Sequence, residues 1–128
     1  MSYSSGQNPG VDMSITFVYF RDIPKAMDFY ENIMGFSLAI DQGHCKIYQT
    51  SLSGYVGLVD EARGFHKAND IKPIILCYRV PDVDLWYKFI KAKGVELIRD
   101  IKTNTTETVR AFFIKDPEGH VIEIQTGL

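Results

Sequence analysis

The sequence predicts a single α+β domain built from two tandem βαβββ modules. First, the order strand, helix, strand, strand, strand occurs twice along the chain. Second, the landmarks of the two copies keep nearly constant spacing, since Asp82 follows Asp22 by 60 residues and Gly94 follows Gly35 by 59. Third, 128 residues suit one compact domain. Because neither copy could bury its own sheet alone, the repeat predicts that the two modules pack together.

Module one is predicted over residues 13–60 and begins with a strand. The run SITFVYF at residues 14–20 is rich in β-branched and aromatic side chains, which are typical of strands. Asp22 followed by Pro24 indicates the start of a helix, and Gly35 indicates its end. Three short strands are predicted after the helix, at residues 36–41, 45–50 and 55–60.

A polar connector is predicted over residues 61–72, and module two then repeats the pattern over residues 73–127. The helix is expected between Asp82 and Gly94. The strands around it are predicted at residues 73–80, 95–101, 110–115 and 120–125, with a polar loop at 102–108. Asp116-Pro117-Glu118-Gly119 has the signature of a type I turn, so the last two strands should form a hairpin. His120, directly after this turn, is expected to be solvated.

Two segments, FRDIPKAMDFYENIMGF and AFFIKDPEGHVIEI, together with the paired modules, resemble the glyoxalase/bleomycin-resistance/extradiol-dioxygenase family. This family is the vicinal oxygen chelate (VOC) superfamily, and the resemblance covers about residues 14–126. It implies two cupped mixed sheets in a single VOC domain, here residues 13–128. It also implies a homodimer, in some members with module one of one chain joined to module two of the other. Residues 1–12, rich in Ser and Gly, are predicted to form a flexible N-terminal arm.

The resemblance also implies four metal-ligand positions, on the first and last strand of each module. They fall on Ile15, Leu58, Ile75 and Glu123. Aliphatic side chains cannot coordinate a metal ion, so the sequence predicts that the usual metal site is absent and that no cofactor is bound. A non-standard site that uses His44, Asp60 or Glu123 remains an alternative.

Strand alternation predicts which side chains face the cup, because residues two apart point to the same side of a sheet. The residues predicted to bind a ligand there are Phe17, Tyr19, Cys77, Arg79 and Glu123. Glu123 is the only candidate for a catalytic base. Neither Cys45 nor Cys77 has a histidine or helix N-terminus placed beside it by the sequence, which argues against a nucleophilic thiol. Alternatively, these side chains fill the cup by packing against each other or against a second chain.

Composition excludes several classes of function. The net charge of −2 argues against a nucleic-acid-binding protein. The chain has no apolar run of about 20 residues and no secretory signal pattern, so we expect no membrane partner and a cytoplasmic location.

The predicted function is binding of a small aromatic or anionic molecule without the usual metal site. One alternative is a metal-dependent VOC enzyme, such as a lactoylglutathione-lyase-like isomerase, a dioxygenase or a fosfomycin-type transferase. Another is a dimeric interaction module with a filled cup.

Overall fold

The computed structural model describes residues 6–128, and its elements follow the predicted order twice. Module one contains β1 (Ser14–Phe20), α1 (Ile23–Asp28), β2 (Ser37–Asp41), β3 (Cys45–Gln49) and β4 (Gly54–Asp60). Module two contains β5 (Ile75–Arg79), α2 (Val83–Ala92), β6 (Leu97–Asn104), β7 (Val109–Lys115) and β8 (Val121–Gly127). The predicted fold class of two tandem βαβββ modules is therefore confirmed.

Two details differ from the prediction. The first helix continues beyond α1 as a π-helical turn over Phe29–Ile33. The predicted loop at 102–108 is wrong at its start, because β6 extends to Asn104 and pairs there with Val109. The pairing of β6 with β7 continues through this polar segment, with register shifts between Leu97 and Lys102. Residues 1–5 of the predicted arm lie outside the described residues, and residues 6–12 contain no helix or strand.

The two sheets have the same topology. Their strand orders are β1-β4-β3-β2 and β5-β8-β7-β6. In each sheet the first and last strands of the module pair in parallel, and the other pairs are antiparallel. The strands β1 and β5 are therefore sheet edges, and their register places Phe17 opposite Gly57 and Cys77 opposite Glu123.

Both helices begin and end where the sequence indicates. The carboxylate of Asp22 accepts a hydrogen bond from the backbone N–H of Lys25 at 3.0 Å, and that of Asp82 accepts one from Leu85 at 3.1 Å. Such a cap contributes about 1 kcal/mol because it satisfies an otherwise unpaired N–H. Gly35 and Gly94 each have a φ of 75°, which favours glycine and lets the chain leave the helix.

One hydrophobic core joins the helix-facing sides of both sheets. It includes Val18 and Phe20 from β1, Leu76 from β5, and Ile122 and Ile124 from β8. The alternate residues of these strands lie on the opposite faces, as the alternation predicts. Burial of apolar surface from both modules explains why neither module is expected to be stable alone.

Contacts from the π-helical turn and from the residue that follows β1 connect module one to the β7–β8 hairpin. The Tyr30 hydroxyl, which is fully buried, donates to Oδ2 of Asp116 at 2.8 Å. At the surface, Arg21 Nη1 lies 2.8 Å from Glu118 Oε2. Among the described residues, no helix has the length and apolar character needed to cross a membrane.

We predict that Tyr30→Phe destabilises the chain more than Tyr87→Phe. Tyr87 is the matched control, because its hydroxyl donates to Asp100 at 2.6 Å but that contact is solvent-exposed. Removal of the buried donor should lower the free energy of unfolding by about 1–3 kcal/mol, because a buried carboxylate loses a hydrogen bond. The control should lose less than about 0.5 kcal/mol. Urea denaturation measures both, and equal losses would contradict the proposed importance of the buried contact.

Candidate functional site

Three of the four positions that the resemblance assigns to metal ligands carry no side chain that could bind a metal. Ile15 and Ile75 lie on the sheet faces away from the helices, and Ile75 is 54% exposed. The assignment of Leu58 to this set is wrong, because Leu58 is fully buried in the core. The residue equivalent to Glu123 is Gly57, by strand pairing.

The error has a simple geometric cause. Gly54 is itself the first residue of β4, and the next residue, Tyr55, pairs with Ile15. Gly119 instead lies two residues before Val121, which pairs with Ile75. Counting from the turn glycine therefore shifts the register by one residue, and a shift of one moves a side chain to the other face.

The donor set does not fit the divalent metal that the family implies. Gly57 has no side chain, and Glu123 accepts a hydrogen bond from Nε2 of Gln125 at 2.7 Å. Within residues 6–128, no three His, Cys, Asp or Glu residues come together as a metal site. The alternative based on His44, Asp60 or Glu123 therefore finds no such cluster in the described part of the chain.

Module two brings three of the predicted ligand-binding residues together on one sheet face. Nε of Arg79 donates to Oε1 of Gln125 at 2.8 Å, and the Gln125 amide donates in turn to Glu123. Cys77 pairs with Glu123 across the parallel β5–β8 register. Arg79 and Gln125 form the next pair on the same face, two residues further along each strand. We call this hydrogen-bonded set, Arg79, Gln125 and Glu123, the polar relay. It links a guanidinium to a carboxylate through an amide.

The thiol beside the polar relay is not activated. Burial raises the pKa of Cys77, the nearby Glu123 carboxylate raises it further, and Arg79 only partly offsets these effects. Burial also raises the pKa of Cys45, which lies under the module-one sheet face. Neither thiol is therefore favoured as a nucleophile, since the thiolate is the reactive form.

The five predicted ligand-binding residues line three separate cavities in one chain. Phe17 and Tyr19 line a cavity of about 530 Å³ beside the connector, which we call the connector cavity. Cys77 and Arg79 line a cavity of about 550 Å³ between the β1 and β5 edges, which we call the edge cavity. Glu123 lines a small third cavity of about 50 Å³. One chain alone therefore does not place Phe17 and Tyr19 beside the polar relay.

Aromatic side chains from both modules line the edge cavity. Phe36 of module one lies 5.2 Å from Tyr78 of module two, measured between ring centroids, and Trp86 also contributes to the lining. The Tyr78 hydroxyl is buried and has no hydrogen-bond partner among the described residues. Burial raises the pKa of Tyr78, so this phenol remains a neutral donor.

The expectation that His120 is solvated is wrong. His120 is only 4% exposed, and its Nδ1 lies 2.8 Å from Oδ2 of Asp116. Its ring lies 5.1 Å from that of Phe20. The alternation of β8 could have predicted this burial, because His120 comes two residues before the buried Ile122 and so falls on the core side.

Asp116 organises this part of the molecule. Its Oδ1 accepts the backbone N–H groups of Glu118, Gly119 and His120 at 3.0, 3.0 and 2.9 Å. Its Oδ2 accepts the Tyr30 hydroxyl and faces the imidazole of His120. The side chain is fully buried, and its many donors compensate for the lost hydration.

Comparison with known proteins agrees with this architecture. Residues 13–124 match the family model of the Glyoxalase/Bleomycin resistance protein/Dioxygenase superfamily. A search of curated proteins finds no match.

Solved structures with similar folds come from several bacteria. Lactoylglutathione lyase from Agrobacterium tumefaciens is 19% identical with a TM-score of 0.75, covering 94% of this chain and 96% of that one. TioX from Micromonospora sp. ML1 is 20% identical with a TM-score of 0.76, covering 93% and 100%. A glyoxalase/bleomycin resistance protein/dioxygenase from Nocardioides is 15% identical with a TM-score of 0.73, covering 97% and 87%. At these identities the similarity shows the fold alone.

We predict that Cys77 reacts with iodoacetamide more slowly at pH 7 than a free cysteine does. Its raised pKa leaves less thiolate at that pH, so the rate should rise about tenfold per pH unit below the pKa. A Cys45→Ser chain isolates Cys77, and mass spectrometry gives the rate. Glu123→Gln should accelerate the reaction by removing a neighbouring negative charge. A Cys77 rate equal to or above that of free cysteine would refute this interpretation.

Proposed function

Because this chain belongs to the Glyoxalase/Bleomycin resistance protein/Dioxygenase superfamily but carries no ligands at three of the family's four metal positions, we propose that it binds a small molecule without a metal ion. The observation that carries this proposal is the donor set at those positions, Ile15, Gly57 and Ile75 with Glu123 alone. The ligand would contact protein side chains directly, where relatives interpose a metal.

The chemistry of the polar relay favours an anionic or aromatic ligand. Arg79 forms no ion pair with any described residue, so its charge remains available to an anion. Apolar surface from Ile75 and the Cys77 side chain lies beside it on the same face. A few polar groups on an apolar surface are typical of sites that bind small molecules.

A second copy of the chain would complete this site. Phe17 is 47% exposed and Ile75 54% exposed, although both belong to sheet faces that the family uses for binding. We propose a homodimer in which module one of one chain covers module two of the other. That arrangement would place Phe17 and Tyr19 opposite Arg79 and Glu123, which one chain does not do. The predicted cytoplasmic location remains a prediction.

No observation in this chain specifically favours a metal-dependent isomerase, dioxygenase or transferase. The lactoylglutathione lyase structure is similar at 19% identity, which shows a shared fold. The interaction-module alternative is not specifically favoured either, because Arg79 is exposed and Gln125 and Glu123 are only half-buried, so nothing in the chain itself covers the polar relay.

The first test is metal binding. Protein purified without chelators should contain no stoichiometric metal, and its melting temperature should not rise with Zn²⁺, Ni²⁺, Mn²⁺ or Fe²⁺. A true site at 100 times its Kd would add about 2.7 kcal/mol to the free energy of unfolding. Stoichiometric metal, or a stabilisation of that size that is lost in Glu123→Ala, would overturn the proposal.

The second test is ligand binding at the polar relay. We expect a small aromatic anion found by thermal-shift screening to bind the dimer, whose mass light scattering should show. Arg79→Met should weaken it about ten- to a hundredfold, the effect of removing a hydrogen bond to a charged group. Arg63→Met, which removes an exposed arginine of the connector, is the matched control. Equal affinity in both variants would exclude Arg79 as the anion-binding residue.

A further inference from the structure

We propose that Arg79 binds a carboxylate group of the ligand end-on, through Nη1 and Nη2. Its positioning residues are Gln125, Glu123 and Gly127. The inference rests on the proposed function and deepens it, because it names the anionic group of the ligand and the way in which the guanidinium meets it. It also gives Glu123 a role other than that of a base.

The two ends of the polar relay fix the direction of its hydrogen bonds. A guanidinium only donates hydrogen bonds, and an ionised carboxylate only accepts them. The amide of Gln125 therefore turns its oxygen to Arg79 and its nitrogen to Glu123, at 2.8 and 2.7 Å. Glu123 thus holds this amide in the one orientation that accepts a hydrogen bond from Nε of Arg79.

Gln125 orients the guanidinium without neutralising it. A carboxylate in the same place would form an ion pair with Arg79, whereas an amide carries no charge. Among the described residues Arg79 forms no ion pair, and Nε is its only side-chain nitrogen with a hydrogen-bond partner. The edge formed by Nη1 and Nη2 therefore remains available, and its two parallel N–H groups match the two oxygens of a carboxylate.

Gly127 sets the place where the guanidinium lies. A Cβ at this position would lie 2.9 Å from Nη1 and 3.6 Å from Cζ of Arg79, so the guanidinium occupies space that a side chain would fill. Gly127 is exposed, and its φ lies outside the left-handed region. Alanine would therefore fit the backbone and would displace the flexible end of Arg79 instead.

This placement turns the guanidinium away from the carboxylate of the relay. Arg79 pairs with Gln125, and Gly127 lies two residues further along β8. Glu123 lies two residues in the other direction, so about 13 Å of strand separates it from Gly127. At physiological ionic strength most of the repulsion between exposed charges is screened over that distance. A ligand carboxylate above the end of β8 is therefore attracted by Arg79 with little opposition from Glu123.

NMR of the arginine side chains tests the positioning without any ligand. The hydrogen on Nε of Arg79 should exchange slowly with water, and Gln125→Leu should abolish this protection. Gly127→Ala should shift the Nη and Cζ resonances of Arg79 and leave the melting temperature unchanged. Leu128→Ala, at the next position of the chain, is the matched control and should change neither. Unchanged Arg79 resonances in Gly127→Ala would overturn the proposal.

Benzoate and benzamide test the carboxylate, because they share nearly the same shape and differ in charge. Benzoate should bind the full chain, and benzamide at least about tenfold more weakly. Benzoate should also shift the Nη resonances of Arg79 and leave Nε, which Gln125 holds, nearly unchanged. Arg79→Lys keeps the charge but loses the paired N–H groups, so it should weaken benzoate binding about tenfold.

The positioning residues are tested with the same probe. Gly127→Ala should weaken benzoate binding about tenfold, while Leu128→Ala should leave it unchanged. Gln125→Glu should weaken it more than Gln125→Leu does, because the new carboxylate neutralises Arg79. A role of Gln125 in folding alone would not produce this order.

The outcomes separate this inference from the proposed function. Weaker binding in Gly127→Ala and Gln125→Glu, with none in Leu128→Ala, supports the inference. Binding that is lost in Arg79→Met but unchanged in Gly127→Ala and Gln125→Glu overturns it and leaves the proposed function standing. A strong shift of Nε with benzoate indicates side-on binding and overturns it as well. Absence of benzoate binding also overturns it, whereas another aromatic anion that binds through Arg79 would still support the proposed function.

Discussion

The buried carboxylate of Asp116 is the interaction on which the rest of the structure depends. It accepts three backbone N–H groups of its own turn and the hydroxyl of Tyr30, which comes from the helix of the other module. A charge without these donors would be very costly to bury. The same contacts therefore shape the β7–β8 hairpin, attach module one to module two and orient His120. One side chain, that of Asp116, therefore stabilises both the local turn and the packing of the two modules.

The chain has two surfaces of different chemistry, the module-two sheet face and the connector cavity. The module-two sheet face presents a guanidinium, an amide and a carboxylate in sequence, those of Arg79, Gln125 and Glu123. The connector cavity presents cationic and imidazole groups around apolar walls. The first surface is open and suited to completion by a second copy. The second lies within one chain, beside the connector that Glu118 binds through Lys72.

Two side chains lie on the other side of their strand from the one that the sequence predicts, for identifiable physical reasons. The distance from the turn glycine predicts Leu58 at the ligand position, but the two modules enter their last strands differently, and a one-residue difference reverses the face. The polar neighbours of His120 in the turn predict a solvated side chain. Its burial follows from the period of the strand that it leads into, and from the presence of a carboxylate that can hold its ring. Local composition and strand period disagreed there, and the strand period was correct.

The sequence by itself determined the repeated βαβββ order, the helix boundaries at Asp22, Gly35, Asp82 and Gly94, and the side of β1 and β5 that faces the helices. These features depend on short-range effects such as capping, positive φ and strand alternation, which neighbouring residues define. Only the tertiary structure decided which distant side chains meet. The separation of Phe17 from Arg79, and the contact of Tyr30 with Asp116 across 86 residues, depend on how the two modules pack together.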